Sequence, residues 1–176
     1  MNDRDALVLL RPAVHPADGE HWADLGAGTG TFTRALASLV GPNGRVIAVD
    51  ADDGALAALR RRAARFAEAP ISVLHADVSR PLDLPPLDGV LLANTLHFLA
   101  DAPGALVRAA GHLRPGGRLV LIEYEGRRPS PWVPHPVSLA RFRELAAGAG
   151  LTPPELVAKR PSAYGGEMYV AVSRKP

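Results

Sequence analysis

The sequence predicts an α/β fold in which a mainly parallel sheet is covered by helices on both faces. Three observations predict it. Strand-like and helix-like segments alternate along most of the chain. A glycine-rich turn, Gly26-Ala27-Gly28-Thr29-Gly30, separates the first strand-like segment from the helix-like one that follows. Residues 89–93 form a continuous apolar run, as a strand buried on both faces requires.

The elements follow in order. Residues 5–10 read as a short amphipathic helix, and residues 21–25 as a strand stopped by the glycine turn. Residues 31–40 carry Phe32, Ala35, Leu36 and Leu39 at helical spacing, and Gly41-Pro42-Asn43-Gly44 breaks that helix. Residues 45–49 are a β-branched run ending at Asp50. The next helix covers residues 53–68, with Leu56, Leu59, Ala63 and Phe66 as its buried stripe. Arg60, Arg61, Arg62 and Arg65 lie mostly outside that stripe. Residues 71–75 make a third strand, followed by Asp77. Three prolines in residues 80–86 predict a loop. Residues 102–113 are helical up to the stop signal Arg114-Pro115-Gly116-Gly117, and residues 118–124 are the fifth strand. Four prolines in residues 126–136 predict an irregular loop. Residues 138–148 form the last helix, with Ser138 as its N-cap. Residues 155–160 and 167–173 are two strands whose short connection makes them pair antiparallel. No repeat and no inner boundary is visible, so residues 1–176 are expected to form a single domain.

Composition narrows the function classes. Hydrophobic residues make up 47% and charged residues 22%, which is ordinary for a globular chain able to fold without staples. The absence of cysteine excludes disulfides, thiolate metal sites and cysteine nucleophiles, and fits a reducing compartment. The net charge of +2 is uneven. Residues 1–100 hold 9 basic and 12 acidic side chains, residues 101–176 hold 11 and 6. A weakly basic second half suits an anionic substrate or RNA, or is only a solvated surface. The charged start is not followed by a signal-peptide core, and the apolar stretch from residue 90 is too short to span a bilayer. A soluble, cytoplasmic protein without a membrane partner is expected.

The glycine turn carries the chemistry. Glycine permits positive φ and lets a ligand approach the main chain, and the helix start behind it presents free N–H groups. Such a loop suits a nucleotide-like ligand; a tight turn with no ligand is the plainer alternative. A dinucleotide fingerprint needs glycines at its first, third and sixth positions. Here those are Gly26, Gly28 and Thr31, and the third glycine comes early, at Gly30. Asp50 ends the next strand, where a carboxylate can accept bonds from both hydroxyls of a ribose. That supports an adenosine ligand without choosing between cofactors. A cap or turn role is the other reading of Asp50, although Asp52 or Asp53 can supply it.

Five segments then resemble the class I S-adenosylmethionine-dependent methyltransferases. They are the first motif around Asp24-Leu25-Gly26-Ala27-Gly28-Thr29-Gly30, the second strand ending in Asp50, His75-Ala76-Asp77-Val78, Asp88 to Asn94, and the turn Leu113 to Leu119. The resemblance implies a Rossmann-like three-layer sandwich, with a seven-stranded mostly parallel sheet and a C-terminal antiparallel hairpin. It implies S-adenosyl-L-methionine as cofactor, held by Asp24, Gly26, Ala27, Gly28, Gly30, Asp50, Ala51, Asp77, Val78, Asn94 and Thr95. In it the glycines pass the methionine part, Asp77 and the Val78 N–H meet the adenine, and Asn94 and Thr95 line the pocket near the sulfonium. Asp77 also reads as a turn residue, and Thr95 as a simple loop residue.

Methyl transfer from a sulfonium is an in-line displacement, so the site mainly aligns the acceptor and excludes water. A base is needed only where the acceptor must lose a proton. His97 and His135 are the catalytic candidates. His97 acts as a base, orients an acceptor, or is simply a packed histidine. Glu123, Tyr124 and Glu125 end the fifth strand on the same edge, and Trp132 is either a wall of the acceptor pocket or a buried anchor. No Asn-Pro-Pro-Tyr pattern follows the fourth strand, and no histidine and carboxylate cluster has metal spacing, so no metal site is expected. The layout most resembles the small-molecule branch that includes quinone-biosynthesis methylases, which implies a small-molecule acceptor. Little sequence precedes the first strand, so a second copy in a homodimer, or the substrate itself, is expected to close the pocket. An RNA or protein methylase and a non-catalytic cofactor-binding module are the competing readings; Thr31 argues against an NAD-binding oxidoreductase.

Overall fold

The computed structural model describes residues 1–14, 19–66, 69–162 and 165–176, without the side chains of residues 64–66. The chain runs α1 (Asp3–Leu10), β1 (His21–Leu25), α2 (Thr31–Val40), β2 (Arg45–Asp50), α3 (Asp53–Phe66), β3 (Ile71–His75) and β4 (Leu87–Ala93). A 3-10 turn at Leu96–Phe98 leads to α4 (Ala102–Gly111), β5 (Leu113–Glu125), α5 (Leu139–Gly148), β6 (Glu155–Pro161) and β7 (Glu167–Arg174).

The strands form one seven-stranded sheet in the order β3-β2-β1-β4-β5-β7-β6. The first five are parallel, and β7 lies antiparallel to both β5 and β6. The expected parallel sheet with its reversed terminal hairpin is therefore what the chain builds. Side chains alternate across the sheet with the two-residue period of a strand. Trp22, Val46, Leu91, Val120 and Val170 join Leu10 and Leu36 of α1 and α2 in one core cluster. Ala23, Val90, Leu92, Leu119, Leu121 and Tyr169 join Leu106 of α4 and Phe142 of α5 in the other. Two apolar faces, each sealed by helices, give three layers.

Local signals explain the boundaries. Asn2 caps α1, its side chain accepting from Asp5 N at 2.8 Å, which starts that helix two residues before the sequence suggested. Ser138 caps α5 as expected, accepting from Arg141 N at 3.1 Å. The last two positions of the expected third helix, 67 and 68, lie outside the described residues. The expected turn at 114–117 is instead part of β5. Leu87 pairs with Leu113 and Gly89 with Arg118, so β5 carries the extra residues as an irregularity in its ladder. Main-chain bonds hold it there: Gly116 N donates to Lys175 O at 2.8 Å and Lys175 N to Gly117 O at 2.9 Å.

The strand order reverses between β1 and its neighbours β2 and β4. In open α/β sheets, ligands bind at the carboxyl ends of the strands, beside such a reversal. The chain leaving β1 is the glycine turn, and the chain leaving β4 is Asn94-Thr95. The topology alone brings these two segments together.

Candidate active site

The glycine turn is tied down from beneath. Gly26 N and Ala27 N both donate to Val49 O, at 2.8 and 3.0 Å, so β2 fixes where the chain leaves β1. The three glycines serve different ends. A side chain on Gly26 would overlap Thr95, and one on Gly30 would overlap Leu59, so both allow close packing of protein on protein. Gly28 has φ +53 and nothing within 4 Å of where a Cβ would stand. Its bare main chain faces open space, as close approach of a ligand requires.

Asp24, Gly26, Ala27, Gly28, Gly30 and Asn94 wall one cavity of about 290 Å³. Asp24 is buried, and Thr33 Oγ1 donates to its Oδ2 at 2.6 Å. Its Oδ1 is buried with no hydrogen-bond partner, and so is Oδ1 of Asn94. Burial pushes the Asp24 carboxyl up to about 7, the Thr33 bond opposing and the nearby charge of Asp50 adding to the rise. Asn94 has φ +55, a conformation uncommon for any residue but glycine. Two acceptor oxygens without donors on the wall of one cavity are a site awaiting a donor, since buried polar atoms are nearly always bonded.

Asp50 sits half-buried at the end of β2. Its Oδ2 accepts from Gly28 N at 2.7 Å and its Oδ1 from Asp52 N at 2.9 Å, so it braces the glycine turn itself. Each carboxylate oxygen keeps a second lone pair. Thr95 is buried, with Oγ1 at 3.2 Å from Ala93 O and 3.4 Å from Gly26 O. Asp50, Thr95, Ala51, Asp77 and Val78 are not among the residues that wall this cavity; Asp77 and Val78 follow Ala76, whose N–H donates to the Asp50 carbonyl at 3.0 Å. Asp77 is exposed, and Oδ1 accepts from Ser79 N at 2.8 Å; hydrogen bonds from Ser79 hold its carboxyl below the usual range. The Ala51 carbonyl accepts a bond from His75 Nε2 at 2.9 Å.

A second cavity, of about 480 Å³, adjoins the first, and Asn94 borders both. Its walls include the rings of His97, Phe98, Tyr124 and Trp132. Trp132 is 82% exposed, so it is a rim residue and not the buried anchor. His97 and Glu123 are both fully buried. Nδ1 of His97 stands 2.6 Å from Glu123 Oε2, and the His97 main-chain N–H donates to Oε1 at 3.1 Å. A carboxylate is acceptor only, so Nδ1 carries the hydrogen and Nε2 is the remaining ring nitrogen. His135 is exposed and lies outside the cavity wall; its main-chain N–H donates to His97 O at 2.9 Å and pins the proline-rich loop.

Glu123 is the residue whose part the sequence did not reveal. A carboxylate after the apolar run Leu119-Val120-Leu121-Ile122 is costly to bury without a partner. That oddity was the available signal, but its partner stands 26 positions away.

The residues fit an adenosyl cofactor with an amino-acid tail. Gly28 leaves room for it, Asp50 ends β2 with a carboxylate able to accept from ribose hydroxyls, and the unbonded oxygens of Asp24 and Asn94 are able to accept from a cationic amino group. The fold and these residues define an α/β domain with two cavities that meet at Asn94. Residues 23–119 match the methyltransferase domain family, and the chain belongs to it, in the class I group that uses S-adenosylmethionine.

Among its relatives is a demethylmenaquinone methyltransferase of Clavibacter sepedonicus, 35% identical over 124 residues, covering 70% of this chain and 49% of the relative. A demethylmenaquinone methyltransferase of Symbiobacterium thermophilum is 34% identical, covering 62% and 45%. The chain spans about half the length of these curated relatives. A solved structure of 1,6-didemethyltoxoflavin-N1-methyltransferase from Burkholderia thailandensis, with S-adenosylhomocysteine bound, is 25% identical. Its TM-score is 0.74, covering 98% of this chain and 77% of that one. The YcgJ protein of Bacillus subtilis shares the fold with a TM-score of 0.79 at 13% identity, covering 98% of each chain.

Proposed function

We propose that this protein transfers a methyl group from S-adenosyl-L-methionine to a small-molecule acceptor held in the aromatic-lined cavity. The observation that carries this is Asn94, which borders both cavities, so that a ligand on the glycine turn and a molecule among the rings meet at one residue. The relatives act on small molecules by their names, and the cavity of about 480 Å³ has the size of a small-molecule site.

When bound, S-adenosyl-L-methionine supplies an activated methyl group on a sulfonium. The chain's own residues then have three tasks. Gly28 and Asp50 hold the sugar and main body of the cofactor against the turn, with Ala27, Ala51, Asp77 and Val78 flanking it. Asp24 and Asn94 take its amino group, satisfying two buried oxygens. His97, Phe98, Tyr124 and Trp132 seat the acceptor and exclude water, which raises the rate by orientation. His135 serves through its main-chain N–H, as a brace on His97.

Two measurements test this. Calorimetry should show binding of S-adenosylhomocysteine and none of NAD. Incubation with methyl-labelled cofactor and a fractionated cell extract should place the label in the small-molecule fraction. Label in RNA or protein, or binding without any transfer, would replace the small-molecule reading.

A further inference from the structure

The wall of the second cavity combines aromatic rings with His97, which a buried carboxylate holds, and that combination points to a chemical class of acceptor. We propose that the acceptor is an aromatic hydroxyl, that its oxygen receives the methyl group, and that His97 removes its proton while Glu123 positions His97. This rests on the methyltransferase reading above and deepens it.

The argument begins with Glu123. It is fully buried and accepts both the Nδ1 hydrogen and the main-chain N–H of His97. Burying a carboxylate is costly unless its lone pairs are used, and here one residue uses both oxygens. The pair fixes the ring's tautomer and its orientation at once. It leaves Nε2 as a lone-pair acceptor on a residue that lines the cavity. A carboxylate behind the imidazole also stabilises the cation formed when Nε2 takes a proton.

A base of this kind suits only some acceptors. An amine attacks with a lone pair it already has, and its proton leaves afterwards. A hydroxyl must lose its proton as it attacks. Free imidazole titrates near about 6.5, a phenol near about 10, and water near about 15.7, which sets the scale for aliphatic hydroxyls. The first gap is about 3–4 units and the second about 9, so the phenol is the hydroxyl a histidine can serve. The rings of Phe98, Tyr124 and Trp132 around the same cavity match a flat aromatic partner.

The oxygen that gives up its proton is taken as the atom that attacks, with ring carbon as the competing outcome of the test. His97 and Asn94 both line this cavity, and Asn94 also borders the glycine-turn cavity. In the step, the O–H bond breaks toward Nε2 and the oxygen pair forms the bond to the methyl carbon. The electrons of the carbon–sulfur bond remain on sulfur, and the imidazolium later releases its proton to water.

The test separates acceptor chemistry from transfer. First, the protein without cofactor is titrated with a nitrophenol, whose ionised form absorbs visibly. The expected result is a shift toward phenolate on binding at mildly acidic pH, lost in His97→Asn and reduced in Glu123→Gln. Second, with S-adenosylmethionine, 2-naphthol should yield the methyl ether. His97→Asn should slow this by about 10²–10⁴-fold, the usual contribution of a general base. The same variant should keep most of its rate with a nitrophenol at about pH 8, where that phenol is already ionised in solution. Glu123→Gln should lower kcat with little change in KM. Retained binding of S-adenosylhomocysteine shows that each variant is folded. Methylation on nitrogen or ring carbon, or equal sensitivity of both phenols to His97→Asn, overturns the proposal. Failure of the wild-type protein to bind S-adenosylhomocysteine would instead overturn the methyltransferase reading beneath it.

Discussion

At the scale of single residues, Asp24 is where the fold and the proposed ligand contact make opposite demands on one charge. Its acid form is favoured in the folded protein, because burial raises it from 3.8 to about 7. The stability it contributes is therefore fully present below about 3.8 and is lost as pH rises through about 7. A cationic amino group beside the orphan Oδ1 favours the charged form instead. Cofactor affinity should rise across the same window in which the free protein loses stability. Asp24→Asn should flatten both profiles, raise the melting temperature of the free protein above pH 7, and weaken the cofactor. Melting curves and calorimetry on either side of pH 7 measure this; a pH-independent affinity in the wild-type protein would refute the amino-group contact.

Asp50 and Gly28 give two further expectations at this scale. Asp50→Ala removes the bonds to Gly28 N and Asp52 N as well as the proposed ones to a ribose. It should weaken cofactor binding by about 1–3 kcal/mol, the range for bonds to a charged group. Unchanged affinity in the folded variant would disprove the ribose assignment. Gly28→Val strains a residue at φ +53 and fills space that is open in the free protein. It should keep the fold and abolish cofactor binding. A fully active Gly28→Val protein would show that no ligand passes there.

At the scale of elements, the glycine-turn cavity was legible in the sequence and the aromatic-lined cavity was not. Gly26 to Gly30, Asp50 and Asn94 sit at strand exits, and strand exits are written in local patterns of apolar runs and breakers. Asp24 was legible as a motif residue, but its missing hydrogen bond needed coordinates. Half of that cavity's wall comes from the chain after β5, where Pro129, Pro131, Pro134 and Pro136 predict irregularity without predicting its path. The bridge between Ser130 and Val133 and the bond from His135 N to His97 O set that path, and no periodicity encodes either. The same limit hid the extra residues of β5, since a Pro-Gly-Gly run reads as a turn until its main chain finds Lys175. The local cap signal at Ser138 held. Ser138 is the case to test: Ser138→Ala removes the bond to Arg141 N and should cost about 1 kcal/mol. A denaturant midpoint unchanged from wild type would show that the helix does not depend on its cap.

At the scale of the molecule, the sheet separates function from stability along its strands. Every candidate site residue lies at or beyond the carboxyl ends of β1 to β5. The opposite edge holds a polar knot of its own. Glu20 accepts from Trp22 Nε1 at 2.8 Å and also pairs with Arg118, whose guanidinium lies 5.1 Å from the centre of the Trp22 ring. The Arg118 side chain is only 7% exposed, and burial pulls its pKa down while Glu20 pulls it up. Removing Glu20 would leave a buried cation without its counter-charge. Glu20→Ala should therefore destabilise the protein, toward the lower end of the about 3–5 kcal/mol seen when one partner of a buried pair is lost, because Glu20 itself is partly exposed. The loss should stay at that end of the sheet without reaching the glycine turn. Urea melts should show the lowered stability, while S-adenosylhomocysteine affinity measured well below the melting point should match wild type. A weaker ligand affinity in the folded Glu20→Ala protein would mean that the two edges are coupled, and that the sheet transmits strain from its base to its site.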